Sequence, residues 1–477
     1  MKKLLFAGLL SITFVSISYG SDDIQQLKEE LKKQQEMINQ LQEKIKELQA
    51  KEELIEKTRE KLDNLDKSGI DKIFSNPSSQ SKFVPDISLI TDFSYVSRNL
   101  TDDTYRQVQI PGFNHGFFHT HDGHAHMPFN AERGFNFNYS ELYITSTVNP
   151  YFDLVGIFHL GEDSFEIEEG YFTTRSLPFN LKLKGGKFYS KIGRLNEQHH
   201  HDWDFADAPL IYRAVFGEDN LLEKGAQLTW LAPTPFYLLF GTEVLQGDNE
   251  NNFNRNGFLV PKNISTNCNT NSQNCIKVSD TKKPNLYTFF VKPSFDIGNV
   301  SILAGLSYAQ GKTRINHLED KDRHALSGTT KIYGLDLTAR YNIDSYRYIS
   351  WQSEYFYRNF DGVKYSYKNN NCNYNLITSS LEKKQAGFYS QIIYKFDQRW
   401  RVGARYDLIN KNDVFVDNKN MNLPDNLYKY SFMIDFLPSE FSRIRLQYNY
   451  DRSLFLGDVR KPNNEIILQF NMAIGGE

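Results

Sequence analysis

The chain has 477 residues, a formal net charge of −3, 40% hydrophobic residues and 14% aromatics. That balance leaves no basic footprint for nucleic acid, and three cysteines are too few for a small disulfide scaffold. Many aromatics in a chain rich in polar residues suit strands whose two faces differ in polarity.

Residues 1–20, "MKKLLFAGLLSITFVSISYG", carry two lysines, then an apolar stretch, then small residues at the positions a signal peptidase reads. They are read as a secretory signal. Residues 21–66 change character. Gly and Pro are absent over Asp22–Leu65. Ile24, Leu31, Ile38 and Ile45 fit heptad position a, and Leu27, Gln34, Leu41 and Leu48 fit position d. The spacing predicts an α-helical coiled coil. Residues 67–85 end in the Ser- and Pro-containing "SNPSSQSKFVP" and are read as a linker.

From residue 86 to 477 the period is two. "RGFNFNYSELYITSTV", "KQAGFYSQIIYKF" and "NEIILQFNMAI" alternate apolar with polar or small residues, the pattern of transmembrane barrel strands. Seven short connections join such runs: Asn149-Pro150, Leu177 to Asn180, Ala232 to Pro235, Phe295 to Gly298, Ile343 to Ser345, Phe396 to Gln398 and Leu437 to Ser439. With one strand before them (Asp86–Arg98) and one after (Glu465–Ile474), the fold class expected is an all-β, 16-stranded antiparallel transmembrane β-barrel preceded by the coiled coil. Short turns face the periplasm and long loops face outward in such barrels. The coiled coil therefore lies in the periplasm.

With signal, coiled coil and alternating strands in hand, the sequence resembles Gram-negative outer-membrane porins with an N-terminal periplasmic coiled coil, including the phosphate-selective group. The stretch from Gly134 to Phe188, followed by "GRLNEQHHHDWDFADAPL", also looks like outer-membrane proteins described as zinc-regulated. The resemblance implies a homotrimer of water-filled barrels in outer-membrane lipid.

Histidine clusters twice. "HGFFHTHDGHAHM" holds His115, His119, His121, Asp122, His124 and His126. "EQHHHDWDFAD" holds His199, His200, His201, Asp202 and Asp204. The first falls in an external loop from Asn99 to Glu132. The run "LKLKGGKFYSK", read as the fourth strand, also rises, so Ile192 to Glu223 is read as the second external loop. His317 and His324 fall in another. Imidazoles with carboxylates are ligands for Zn(II), Ni(II) or Cu(II), so these residues are candidate metal ligands at a pore mouth. No HExxH helix is present, and no hydrolase is indicated. "GEDSFEIEEG" places further carboxylates near the second cluster.

Arg340, Arg347, Arg399, Arg401, Arg405, Arg443 and Arg445, with Lys182, Lys184 and Lys187, lie on or near strand ends. They either line the lumen, where they would favour anions, or reach to the membrane interface. Cys268 and Cys275 share one loop and are a candidate disulfide. Three functions fit: passive diffusion of small hydrophilic solutes or ions, capture of metal ions for uptake, and a barrel anchor with a tether toward peptidoglycan. None is an enzyme or a partner of nucleic acid.

Overall fold

The structure, a computed structural model, describes residues 85–475 apart from 114–119, 122–123, 126–128, 162–163, 219, 250, 264–267, 269–272, 282–283, 319–322 and 371–372. The signal, the coiled coil and almost all of the linker lie outside the described residues.

Sixteen strands form one ring: β1 (Asp86–Arg98), β2 (Gly134–Asn149), β3 (Phe152–Leu160), β4 (Phe165–Thr174), β5 (Leu181–Tyr189), β6 (Leu222–Leu231), β7 (Tyr237–Leu245), β8 (Leu286–Ile297), β9 (Val300–His317), β10 (His324–Asn342), β11 (Tyr348–Asn370), β12 (Asn373–Lys395), β13 (Trp400–Val416), β14 (Leu427–Ser439), β15 (Ser442–Asp451) and β16 (Asn463–Ile474). The two-residue segment Lys419–Asn420 is an appendage to β13 and makes the sheet seventeen-stranded in all. Each ring strand pairs antiparallel with its chain neighbours, and β1 closes on β16 from Leu89↔Ile474 to Arg98↔Glu465. No helix of the described residues is long and apolar enough to cross a membrane.

The polarity of the ring is inverted relative to a water-soluble barrel. Along β14 and β15, Tyr430, Phe432, Ile434, Leu446 and Tyr448 point outward and are exposed, while Lys429, Ser431, Asp435, Arg445 and Gln447 are buried inside. Alternation along a strand makes the two faces strictly different. An apolar outer face around a polar inner one is stable only where lipid replaces water outside. Exposed Tyr151, Phe179, Phe236, Tyr341, Tyr346 and Trp400 gather at the short-turn end, as in an interfacial aromatic girdle.

All seven expected turns fall at hairpins, with Phe295–Ile297 and Leu437–Ser439 belonging to the ends of β8 and β14 beside the connection. The opposite end is less uniform than the sequence suggests. Strands β3 and β4 are joined by residues 161–164, and β9 to β12 run for 18, 19, 23 and 23 residues. A tilted strand needs only about 9–11 residues to cross a bilayer. Polar sequence read as loop thus continues the ladder beyond the membrane. His317 and His324 accordingly end β9 and begin β10, directly paired, rather than sitting in a loop. "LKLKGGKFYSK" begins in β5, not in a fourth strand, because "FEIEEGYFTT" is a strand of its own; the connection after it, 190–221, is the third at this end.

That connection does not stand outside. Its backbone and side chains bond to wall residues around most of the ring. Lys191 N donates to Glu243 of β7 (2.9 Å), Gly193 N to Ser307 of β9 (3.1 Å), and Arg194 N and Leu195 N to Glu354 of β11 (2.7 and 3.0 Å). Leu210 N donates to Asp407 of β13 (2.8 Å) and Ala206 N to Gln447 of β15 (2.7 Å). A segment that reaches both sides of a closed ring lies within it. Its short α-helix, α1 (Leu210–Val215), is buried throughout and packs near β11, β12 and β13. Around it Tyr105, Ile110, Phe113, Trp203, Ile211, Phe216, Phe253, Phe356, Leu454 and Phe455 form an apolar core inside the ring. The water-filled lumen implied by the resemblance is therefore filled in part by protein.

Candidate functional site

The inner segment 190–221 is held by ion pairs that the wall supplies. Asp207 accepts Arg405 (2.9 Å), Gln447 (2.7 Å) and Lys429, and Asp204 accepts Arg401 (2.8 Å) and Gln391 (3.0 Å). Arg445, fully buried, binds Asp435 (2.8 Å) and donates to the Trp203 carbonyl (3.0 Å); Arg443 donates to the carbonyls of Trp203 and His201. Arg401, Arg405, Arg443 and Arg445 thus turn inward and anchor the segment, whereas the Arg347 side chain is 42% exposed at the short-turn end. Burial opposes the charge on Asp207, yet Lys429 and Arg405 outweigh it and hold its carboxyl well below the usual range.

Beside these anchors, the histidines at 199–201 meet carboxylates of the wall. Glu141 of β2 lies across from His159 of β3 in the ladder. Between β3 and β4 the register slips at Ile157/Phe158, so that Glu168 has no partner opposite and both Glu168 and Glu169 are buried. Such a bulge re-aims a side chain that strict alternation would send to the other face. The result is one polar cluster. Glu141 Oε2 lies 3.3 Å from His159 Nε2, 3.3 Å from His199 Nδ1 and 3.6 Å from His201 Nδ1. Glu168 Oε2 lies 2.8 Å from His159 Nε2 and 3.3 Å from His199 Nδ1. On the other edge of its imidazole, His199 Nε2 meets Glu169 Oε1 at 2.8 Å. Burial opposes protonation of His199, but its bonds to Glu141, Glu168 and Glu169 prevail and raise its pKa well above the ordinary value.

The five residues proposed at 199–204 therefore part company. His199 and His201 enter the cluster. His200 turns away, stacked on Phe129 at 3.8 Å with Trp203 at 4.5 Å, and burial with neighbouring cations lowers its pKa to about 3. Asp202 is half exposed, 3.8 Å from His201 Nε2, and Asp204 is occupied by Arg401. In the other loop, His115, His119, Asp122 and His126 lie outside the described residues. The backbones of His121 and His124 are paired in a short antiparallel ladder. The second cluster is thus inside the ring and not at an external mouth. The sequence alone brings the carboxylates of "GEDSFEIEEG" near the second cluster but does not join them to His159. Glu141 carried no signal, since one glutamate in an alternating run looks like any inward polar residue. Cys268 and Cys275 are joined by a disulfide.

No family model matches the chain. It is 51% identical over 401 residues to a protein of Aquifex aeolicus (strain VF5) described as uncharacterized, covering 84% of this chain and 80% of that one. Among solved structures it is similar to an anion-selective porin from Comamonas acidovorans (TM-score 0.47, 10% identity, 82% of this chain and 100% of that one). It is also similar to the outer-membrane protein OmpT of Vibrio cholerae in its trimer form (TM-score 0.46, 11% identity, 82% and 99%). The outer-membrane channel DcaP of Acinetobacter baumannii gives a TM-score of 0.43 at 10% identity, with 82% and 97% covered.

Proposed function

We infer that this chain, which belongs to the family of that Aquifex aeolicus protein, is an outer-membrane channel for small hydrophilic solutes or ions, narrowed from within by its own segment 190–221. The observation that carries this reading is the charged inner wall. Asp92, Glu243, Lys292, Asp336, Glu354, Arg405, Asp435 and Arg445 all face inward from a ring whose outer face is apolar. A barrel serving only as an anchor has no need of a charged interior, since buried charge is costly and brings little net stability. Charge on a pore wall sets which solutes enter and which linger. The segment is attached to that wall largely by ion pairs and backbone-to-carboxylate bonds, so it can be loosened by pH or substitution while the ladder of the ring stays intact.

Planar-bilayer recording of the purified, full-length protein tests the reading. Stepwise conductance with a measurable cation/anion preference is the expected result. Membranes that stay silent over the accessible range of voltage and pH would leave the anchor with a tether as the standing alternative.

A further inference from the structure

We propose that Glu141, His159, Glu168, His199 and His201 form a binding site for one divalent transition metal, of the zinc class, between the inner segment and the wall strands β2 to β4. The inference concerns the cluster itself and stands whether or not the barrel conducts.

Spacing is the first argument. Atoms bound to zinc at its usual bond lengths of roughly 2.0–2.2 Å stand about 3.3–3.6 Å apart in a tetrahedral shell, and some edges close to about 2.9 Å when the shell has five members. The five nitrogen–oxygen contacts of Glu141 and Glu168 given above run from 2.8 to 3.6 Å. Glu141, Glu168 and His199 each offer one ligand atom, and the three all lie within 4.8 Å of one another. Three imidazoles and two carboxylates are a donor set for zinc, nickel, copper or iron, and a poor one for calcium or magnesium.

The second argument is the outer contact. His199 presents Nδ1 to the cluster while its other nitrogen is held by Glu169 at 2.8 Å. A carboxylate on the far nitrogen fixes ring orientation and tautomer and strengthens the ligand, as in carboxylate–histidine–zinc arrangements. The bulge supplies both parts at once, with Glu168 directed to the cluster and Glu169 to the back of His199.

Third, the proton inventory fits hydrogen bonding poorly. Without an ion, Glu141 Oε2 accepts from His159 and His199 at 3.3 Å each, while His201 Nδ1, at 3.6 Å, is beyond hydrogen-bond reach of it. The His199 and His201 rings are stacked with centroids 5.7 Å apart. A divalent cation lets all three imidazoles stay neutral and use their lone pairs. The His159 side chain is 21% exposed, which leaves a route of entry. Because two ligands come from the inner segment and three from the wall, the ion would also clamp that segment in place.

The test uses full-length protein in detergent, stripped with a chelator and titrated with Zn(II). One equivalent should bind and survive gel filtration. Glu141→Gln and His159→Gln should each weaken it more than about 100-fold, and Glu169→Gln by about 10–100-fold. A variant with alanine at His119, His121, His124 and His126 should keep that equivalent. Heat-modifiable gel mobility checks that each variant folds. X-ray absorption of the wild-type zinc complex does not depend on any variant, and should show a shell of nitrogen and oxygen with three imidazoles. The proposal is overturned by wild type that binds no stoichiometric zinc, by folded Glu141→Gln and His159→Gln that bind as wild type does, or by a zinc shell with fewer than two imidazoles.

Discussion

Replacing Asp207 by Asn should free the inner segment without opening the ring. The Asp207 carboxylate is the meeting point of Arg405, Lys429, Gln447 and Asn449, from three adjacent strands. The amide keeps the shape and some hydrogen bonds but removes the charge. Arg405 retains Asp407 at 3.0 Å, so the larger loss falls on Lys429, whose side chain is 3% exposed. Removing one partner of a buried ion pair costs about 3–5 kcal/mol. At about 1.4 kcal/mol per tenfold, the released population should rise by roughly two to nearly four orders of magnitude. Single-channel recording should show larger or noisier conductance, and protease should cut within 190–221 faster, with unchanged heat-modifiable mobility.

Acid should mimic the substitution in the wild type. The Asp207 pKa is depressed in the docked state, so its contribution is complete above the undocked value near 3.8 and is lost as pH falls through the depressed one. Asp207→Asn should lack this acid response. If conductance, cleavage and acid sensitivity all match the wild type, the carboxylate does not hold the segment and the account of its docking is wrong.

Other substitutions probe other levels. Tyr212→Phe removes a buried hydroxyl donor to Glu354 (2.7 Å) and should weaken docking by about 1.5–3 kcal/mol, seen as faster cleavage of the segment; unchanged cleavage would count against it. Leu335→Arg places a charge among the outward-facing Leu306 and Tyr355. Near the bilayer midplane it should cost about 2–4 kcal/mol of folding into lipid vesicles, whereas a water-facing site would tolerate it. Gly186 adopts φ +143°, and a Cβ there would meet the Gly170 carbonyl oxygen at 2.2 Å and Tyr171 Cα at 2.7 Å. Gly186→Val should block the β4–β5 ladder and sharply reduce the yield of folded barrel; a normal yield would refute the close approach.

Strand number and direction were legible because alternation and turn chemistry are local. Asp86–Arg98 reads as a strand from its own residues, and Pro150, Pro233 and Pro438 mark turns wherever the barrel stands. The inner segment was not legible in the same way. Whether "NEQHHHDWDFADAPL" lies in water or inside a ring depends on Arg401, Arg405 and Arg445, some 200 residues later, which are indistinguishable in sequence from interfacial arginines. The cluster at Glu141 and His159 failed for a related reason. Its geometry depends on a one-residue bulge opposite Ile157 and Phe158, and a slip of that size reverses which face a side chain takes. Polar composition also misled at β9 to β12, where strands leaving the membrane lose their apolar face and look like loops.

The pairing of β1 with β16 makes the ring's only seam join the first strand to the last. Until residues 463–474 are available, both β1 and β15 present open edges, each a template for adding another chain. The inner segment is also more easily enclosed before the seam shuts than threaded through it afterward. Assembly is thus ordered by topology: docking precedes sealing, and a chain cut short before β16 is left as an open, sticky sheet with its interior unclosed.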